Sequence, residues 1–259
     1  MRLFLLSLLL AGTGGYAVGD SDAGVLSFAW DDITASSVVP FTLVDDDSAT
    51  LPLPFSFTHF GTSFSSIGVC TNGFIQFGGA STAALNTAIP FSATPNGIVA
   101  AFWDDLLLAS GMTVHYATLG VAPFRRFVVS WDDVSTIVGG PSTHLTFQIA
   151  LFETSNEIRL QYKTLTGSDS SGTSATVGIE ALNGSDGIEY LHDGAPAANA
   201  LHDSLAVLLT PGPTGGGSPP TTNDPTMLRE CNHGAPASHG SFVWLALVYF
   251  AAALTISRR

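Results

Sequence analysis

Aspartates are the residues of this sequence whose type and spacing come closest to a chemical site. Asp45, Asp46 and Asp47 form its densest acidic run, and in an extended backbone Asp45 and Asp47 project to the same side. Carboxylate oxygens are the ligands that calcium prefers. The run therefore predicts a calcium site at Asp45 and Asp47. It lacks the alternating oxygen ligands and the closing glutamate of an EF-hand loop, so a solvated loop without metal explains the same residues.

The tripeptide Trp-Asp-Asp occurs three times, each time after an apolar stretch. The copies are Trp30-Asp31-Asp32, Trp103-Asp104-Asp105 and Trp131-Asp132-Asp133. One interpretation gathers these carboxylates at one edge of a sheet, where they would hold calcium. The other has each tryptophan close a core strand while the aspartates begin a solvated turn and accept backbone N–H bonds. Adjacent strand residues point to opposite faces and cannot both reach one ion, which favours the turn.

Signatures of catalysis are missing from the sequence. The seven histidines show no His-Glu-x-x-His spacing, and no Gly-x-Ser-x-Gly elbow occurs. The stretch Asp169-Ser170-Ser171-Gly172 is only faintly similar to an acid-protease loop. Such a loop also needs a second carboxyl group to share its proton. We therefore predict a non-catalytic protein with no catalytic residue. The alternative is a secreted hydrolase or accessory domain that uses clustered aspartates, since paired carboxylates can hydrolyse glycosides.

The two cysteines differ in their surroundings. Cys70 follows Val69 in an apolar stretch, which predicts a buried and inert thiol. Cys231 lies in a stretch rich in Gly, Pro, Ser and Thr, where modification or pairing would give it a purpose. Two cysteines can form neither a dense disulfide scaffold nor a four-cysteine zinc site.

Charge narrows the choice of partners. The 259 residues are 46% hydrophobic and 11% charged, enough for one core, and they carry a net charge of −13. Between residues 20 and 210, 19 acidic residues stand against four basic ones, a net charge of −15. Such a surface repels nucleic acid and anionic lipid, and it favours association with divalent cations.

Alternation with a period of two predicts the strands that position these residues. Ile158, Leu160 and Tyr162 share one face of a strand whose other face is polar, and residues 145–151 and 127–131 alternate likewise. These three strands should pair in sequential antiparallel order. Further candidates are residues 25–30, 55–60, 74–77, 98–103, 112–117, 175–180 and 187–191, separated by turns such as Asn72-Gly73 and Asn183-Gly184. The sequence predicts an all-β antiparallel sandwich over residues 20–210.

The first residues of the chain resemble a secretion signal. Arg2 precedes an apolar stretch over residues 3–10, and small residues follow. This order is typical of a signal peptide. We predict one over residues 1–19, with cleavage after Ala17 or Gly19, and hence an exported domain.

The C-terminal residues predict an anchor. Residues 211–241 form a linker rich in Gly, Pro, Ser and Thr, which contains Cys231. Residues 242–256 carry no charge, and as a helix they would extend about 22 Å, a marginal membrane span. Arg258 and Arg259 would stay in the cytoplasm, which leaves the preceding domain outside. We therefore expect a cell-surface or extracellular protein that this helix anchors at least transiently.

The central segments resemble a family of exported bacterial domains related to the nidogen-type module. They are residues 53–61 (LPFSFTHFG), 69–78 (VCTNGFIQFG), 100–106 (AAFWDDL), 126–131 (RFVVSW), 145–153 (LTFQIALFE) and 175–180 (ATVGIE). The resemblance implies an extracellular β-rich module for display, adhesion or matrix contact, usually without catalysis. Its partner would be an extracellular ligand or matrix component. A calcium-stabilised structural module is a further alternative.

The tail resembles the C-terminal sorting signals of myxobacterial surface proteins. The shared features are the linker, Cys231, the short apolar helix and the final Arg258-Arg259. The usual cysteine cluster is reduced here to one residue. In that family the cysteine region is processed and lipid-modified, which implies the same fate for Cys231. Without processing, the tail is a permanent single-pass anchor. A GPI-type signal fits Gly234 and Ala235 but not a tail that ends in two arginines.

Overall fold

The computed structural model describes residues 10–11 and 15–212, and strands dominate them. The strands are β1 Leu10–Ala11, β2 Tyr16–Asp20, β3 Ser37–Val38, β4 Ser48–His59, β5 Thr62–Cys70, β6 Phe74–Gln76, β7 Ile98–Trp103, β8 Leu106–Leu107, β9 Thr113–Leu119, β10 Arg126–Thr136, β11 His144–Phe152, β12 Ile158–Thr166, β13 Thr176–Glu180, β14 Gly187–His192 and β15 Ala206–Pro211. Two short 3-10 helices, Gly140–Ser142 and Ala197–Asn199, complete the described elements.

The strands form two antiparallel sheets. One has nine strands in the order β1-β2-β15-β12-β11-β10-β9-β3, with β8 paired to β10. The other has six strands in the order β14-β13-β7-β6-β5-β4. The predicted all-β antiparallel sandwich is confirmed, and so is the sequential pairing of β10, β11 and β12.

Large aromatic side chains fill the space between the sheets. Trp131 and Phe147 of the nine-stranded sheet stack with ring centres 5.2 Å apart. Phe102 of the six-stranded sheet stacks on the same Phe147 at 5.8 Å. All three are fully buried, as is the whole of β7, so this strand is covered on both faces. Burial of this apolar area is the main force that holds the two sheets together.

Two hydrogen bonds also join the sheets through the core. The Tyr162 hydroxyl donates to the carbonyl of Ala101 at 2.7 Å, and the Trp131 indole N–H donates to the carbonyl of Cys70 at 3.1 Å. Both donors lie on the nine-stranded sheet, and both acceptors belong to the other. A buried donor without a partner would be costly, so these bonds fix how the sheets align.

The strand predicted over residues 25–30 is wrong. This segment forms no ladder of backbone hydrogen bonds with the described strands, and it lies instead across the outer face of the nine-stranded sheet. Side chains hold it there: the Gln161 amide oxygen accepts the Ala29 N–H at 2.8 Å, and Asp31 forms a bidentate ion pair with Arg126. An extended segment that packs on the face of a sheet has the same alternation of apolar and polar residues as a strand paired within a sheet. The sequence pattern therefore could not distinguish the two.

The folded unit extends beyond the predicted limits of residues 20 and 210. β2 pairs with β15 from Tyr16 opposite Pro211 to Asp20 opposite Val207, and β1 pairs with β2 in turn. Tyr16 is only 3% exposed. The predicted cleavage sites after Ala17 and Gly19 therefore lie inside a paired strand.

Several predictions fall on parts of the chain that the structure does not describe. They are residues 1–9 and 12–14 of the signal peptide, the linker from residue 213, Cys231, the apolar segment 242–256, Arg258 and Arg259. Within the described ranges, no helix has the length and hydrophobicity needed to cross a bilayer.

Strand directions define two ends of the sandwich. β4 has twelve residues and so extends roughly 40 Å between them. The acidic end carries the loop that leads into Ser48 and the turn at Asn72-Gly73. The cleft end carries the β4–β5, β11–β12 and β13–β14 turns together with the start of β2 and the end of β15.

Candidate functional site

At the acidic end, three carboxylates converge. One oxygen each from Asp45, Asp46 and Asp105 lies within 4.8 Å of the others. Asp45 and Asp46 belong to the loop before β4, and Asp105 lies in the short connection between β7 and β8. Asn72, in the β5–β6 turn, donates its amide N–H to Asp46 at 2.8 Å and accepts the Leu106 N–H at 3.0 Å, which ties the two loops together.

Electrostatics in this acidic triad favour a bound cation. Desolvation raises the pKa of Asp105, and the negative charges of Asp45 and Asp46 raise it further. One carboxylate oxygen of Asp45 is buried and accepts no hydrogen bond from the described residues. A divalent cation bound by oxygen ligands would relieve this repulsion. The triad has the ligand type for calcium, and it supplies three protein ligands.

Asp47, predicted as a calcium ligand together with Asp45, points elsewhere. Its carboxylate accepts the backbone N–H groups of Thr42, Leu43 and Ser48, the last two at 2.8 and 2.7 Å. Although desolvation opposes the effect, these hydrogen bonds hold the pKa of Asp47 below its usual value. Asp47 therefore braces the loop, and the structure brings Asp45 together with Asp46 and Asp105 instead.

The three Trp-Asp-Asp copies have different environments. Trp103 and Trp131 are buried in the core, whereas Trp30 is half-buried on the outer face of the nine-stranded sheet. Of the six aspartates, Asp105 alone joins the triad, and Asp31 pairs with Arg126. The copies do not gather at one edge. The copy at Trp103 follows the alternative in which tryptophan closes a core strand, whereas Trp131, Asp132 and Asp133 lie inside β10.

Cys70 is buried, as the sequence predicts. Desolvation, the largest cause, raises the pKa of its thiol to about 12. At neutral pH the thiolate that would act as nucleophile is therefore almost absent.

At the cleft end, the loops enclose a cleft of about 630 Å³. Its lining residues come from five segments, at the start of β2, the β4–β5, β11–β12 and β13–β14 turns, and the end of β15. They are Gly15, Tyr16, Thr58, Phe60, Gly61, Thr154, Ser155, Asn156, Ala181, Asn183, Ser185, Asp186, Pro211 and Gly212. The volume falls in the range of roughly 300–1,000 Å³ that is usual for small-molecule sites.

Comparison with known families identifies the central domain. Residues 23–207 match the NIDO-related family. The chain belongs to the NIDO-related family. Neither the comparison with curated proteins nor that with solved structures found a match. The nidogen-like resemblance of the central segments is thereby confirmed.

The NIDO-related region contains the whole acidic triad but only part of the cleft. Gly15 and Tyr16 lie before the matched residues, and Pro211 and Gly212 lie after them. In this chain, residues that flank the NIDO-related region therefore complete the cleft.

Carboxyl groups with a raised pKa lie outside the cleft of this NIDO-related protein. Desolvation is the largest cause of the increase for each of them, and they are Asp104, Asp105, Asp132 and Glu180. Among the described residues, the cleft lining includes one carboxylate, that of Asp186. The cleft thus offers hydrogen-bonding groups rather than a carboxyl pair.

Sequence reasoning missed the cleft residues. Asn183 belongs to an Asn-Gly pattern that predicted a turn of the backbone but gave no indication of a role for the side chain. Tyr16 lay within the predicted signal peptide, and Asp186 carried no signal at all. Only the meeting of distant turns makes them neighbours.

Proposed function

We propose that this chain is an exported, non-catalytic β-sandwich displayed at the cell surface, where it binds an extracellular ligand or matrix component. The observation that carries this proposal is the match of residues 23–207 to the NIDO-related family, which suggests an extracellular-type module. The acidic surface supports it, because a strongly charged domain stays soluble outside the cell. The signal-like first residues and the apolar C-terminal segment supply the means of export and retention.

Surface display can be tested in cells that make the full chain. Antibody against the sandwich should label intact, unpermeabilised cells. The intact mass of the purified protein should lack the leader and carry a lipid on Cys231, and Cys231→Ser should lack the lipid and keep the whole apolar tail. Cys70→Ala, at the other cysteine, should leave the lipid in place. A full-length mass with unmodified Cys231, or labelling only after permeabilisation, would contradict the proposal.

A second function, calcium-dependent stabilisation, is supported by the acidic triad. Calcium at ten times its dissociation constant should stabilise the fold by about 1.4 kcal/mol and raise Tm by about 3–5 °C. Asp105→Asn should abolish this increase, because it removes one of the three converging carboxylates. Thermal unfolding of the full chain with calcium or with chelator measures the effect.

Asp47→Asn is the matched control for the calcium experiment. It should lower Tm in the absence of calcium, since Asp47 braces the loop through backbone N–H groups. It should nevertheless keep the calcium-induced increase. An increase that survives Asp105→Asn but disappears with Asp47→Asn would show that calcium binds elsewhere.

A further inference from the structure

The cleft is lined by polar groups that have no hydrogen-bond partner within the described part of the chain. Asn183 accepts hydrogen bonds from the N–H and hydroxyl of Ser185 through its Oδ1, which leaves its Nδ2 donor available. The Asp186 carboxylate accepts no hydrogen bond from the residues that the structure describes, and its backbone carbonyl accepts the Ala181 N–H. The cleft thus combines an unused amide donor and an unused carboxylate acceptor three residues apart.

Tyr16 contributes its ring to the wall of the cleft. It is only 3% exposed, and its hydroxyl is buried. Tyr16 therefore offers apolar ring surface to the cleft, and the hydrogen-bonding groups come from the β13–β14 turn.

Two aromatic rings lie next to these polar groups in the lining of the cleft. The rings of Phe60 and Tyr16 lie 4.9 Å apart, and Phe60 is half-buried at the tip of the β4–β5 hairpin. The fully buried His59 meets the Phe60 ring edge-on at 4.8 Å and holds it in place. A pyranose ring presents C–H groups on its faces and hydroxyls on its edge. An aromatic ring can pack against the C–H groups of the sugar face, while a neighbouring amide donor and carboxylate acceptor can hydrogen-bond the hydroxyls on its edge.

The charge of the cleft and of the domain around it indicates which class of saccharide could bind. No lysine or arginine lines the cleft, whose one charged side chain within the described residues is the Asp186 carboxylate. The domain around it carries a net charge of −15 between residues 20 and 210. An acidic saccharide would meet repulsion without a compensating cation, whereas a neutral one would not.

We propose that this cleft is a binding site for neutral saccharides, with Asn183 and Asp186 as hydrogen-bonding residues and Phe60 as the aromatic surface. The inference rests on the proposed function, whose unspecified extracellular ligand it names by chemical class. The complete cleft requires a mature chain that retains Gly15 and Tyr16, and therefore a leader shorter than the predicted 19 residues.

Binding can be measured with the full chain immobilised from detergent. The probes are hexasaccharides of β-glucan, mannan, galactan and chitin, with a polygalacturonate hexasaccharide as the acidic comparison. At least one neutral probe should bind, and the acidic probe should bind at least tenfold more weakly. Asn183→Asp keeps the Oδ1 that fixes the turn but loses the Nδ2 donor, and Asp186→Leu keeps a similar shape but loses both acceptor oxygens. Each should weaken binding about tenfold, the loss of one such hydrogen bond.

Asp45→Asn, in the acidic triad at the opposite end, is the control and should leave saccharide affinity unchanged. Unchanged Tm in the cleft variants shows that the fold is intact. Failure of every neutral probe to bind overturns the inference, as does equal affinity of wild type and both cleft variants. Antibody labelling of intact cells tests the proposed function separately, so a chain that is displayed but binds no neutral probe refutes this inference alone.

Discussion

A chain that begins at Asp20 should unfold about 6–12 °C below one that begins at Gly15. The shorter chain lacks Tyr16, whose burial contributes about 2–3 kcal/mol. It also loses most of the β2 ladder with β15, in which each hydrogen bond contributes about 1 kcal/mol. The loss is therefore at least about 3 kcal/mol.

Thermal unfolding followed by circular dichroism measures this difference. A chain that begins at Val18 is the matched intermediate, because it keeps the pairs of Val18 and Gly19 with β15 but lacks Tyr16. It should melt between the other two. Equal melting temperatures would mean that β2 contributes nothing to the fold. Cleavage after Ala17 or Gly19, as the sequence predicts, would produce the less stable forms.

The sequence was sufficient where a strand buries one face or both. β7, β11, β12 and the first half of β10 were predicted within a few residues, because their apolar positions repeat with period two or run without interruption. β5 was missed because its first half, Thr62 to Ser66, has Phe64 as its one apolar residue and shows no sustained alternation. β15 was missed because its short apolar run stands directly before the linker.

Burial depends on distant residues, and local periodicity does not carry that information. Residues 25–30 have the pattern of a strand, yet they lie on the sheet because Asp31 meets Arg126, which is 95 residues away in the chain. In the same way, Asp45 meets Asp105 only because the strands that follow and precede them end at one edge. The sequence correctly indicated which residues were acidic and close to strand ends. It could not indicate that Asp46 and Asp105, rather than Asp47, complete the group with Asp45.

Glu180→Gln should stabilise the protein at pH 8 by about 2–3 kcal/mol. Glu180 lies in β13 and is 2% exposed, and desolvation raises the pKa of its carboxyl to about 7. Above that pH the native state must hold a buried carboxylate, which costs about 3 kcal/mol relative to the unfolded chain. Glutamine keeps an oxygen that can accept the Phe91 N–H, as Glu180 does, without the charge.

The pH profile identifies this effect because His59 acts in the opposite direction. Between about pH 4.5 and 7 the native state binds the Glu180 proton and the unfolded state does not, so stability falls as pH rises. His59 is buried, its Nε2–H donates to the Glu180 carbonyl oxygen at 2.9 Å, and desolvation lowers its pKa to about 4. It stays neutral in the native state, so between about pH 4 and 6.5 its contribution rises with pH. In the wild type the two slopes nearly cancel between about pH 4.5 and 6.5.

Each variant should expose one slope. Glu180→Gln leaves His59, so stability should rise from about pH 4 to 6.5 and then stay level. His59→Gln leaves Glu180, so stability should fall from about pH 4.5 to 7. Urea unfolding from pH 4 to 8 measures both, and the slope is informative even where a variant lowers absolute stability. Parallel profiles for wild type and both variants would refute the assignment, because they would mean that neither group changes its proton affinity on folding.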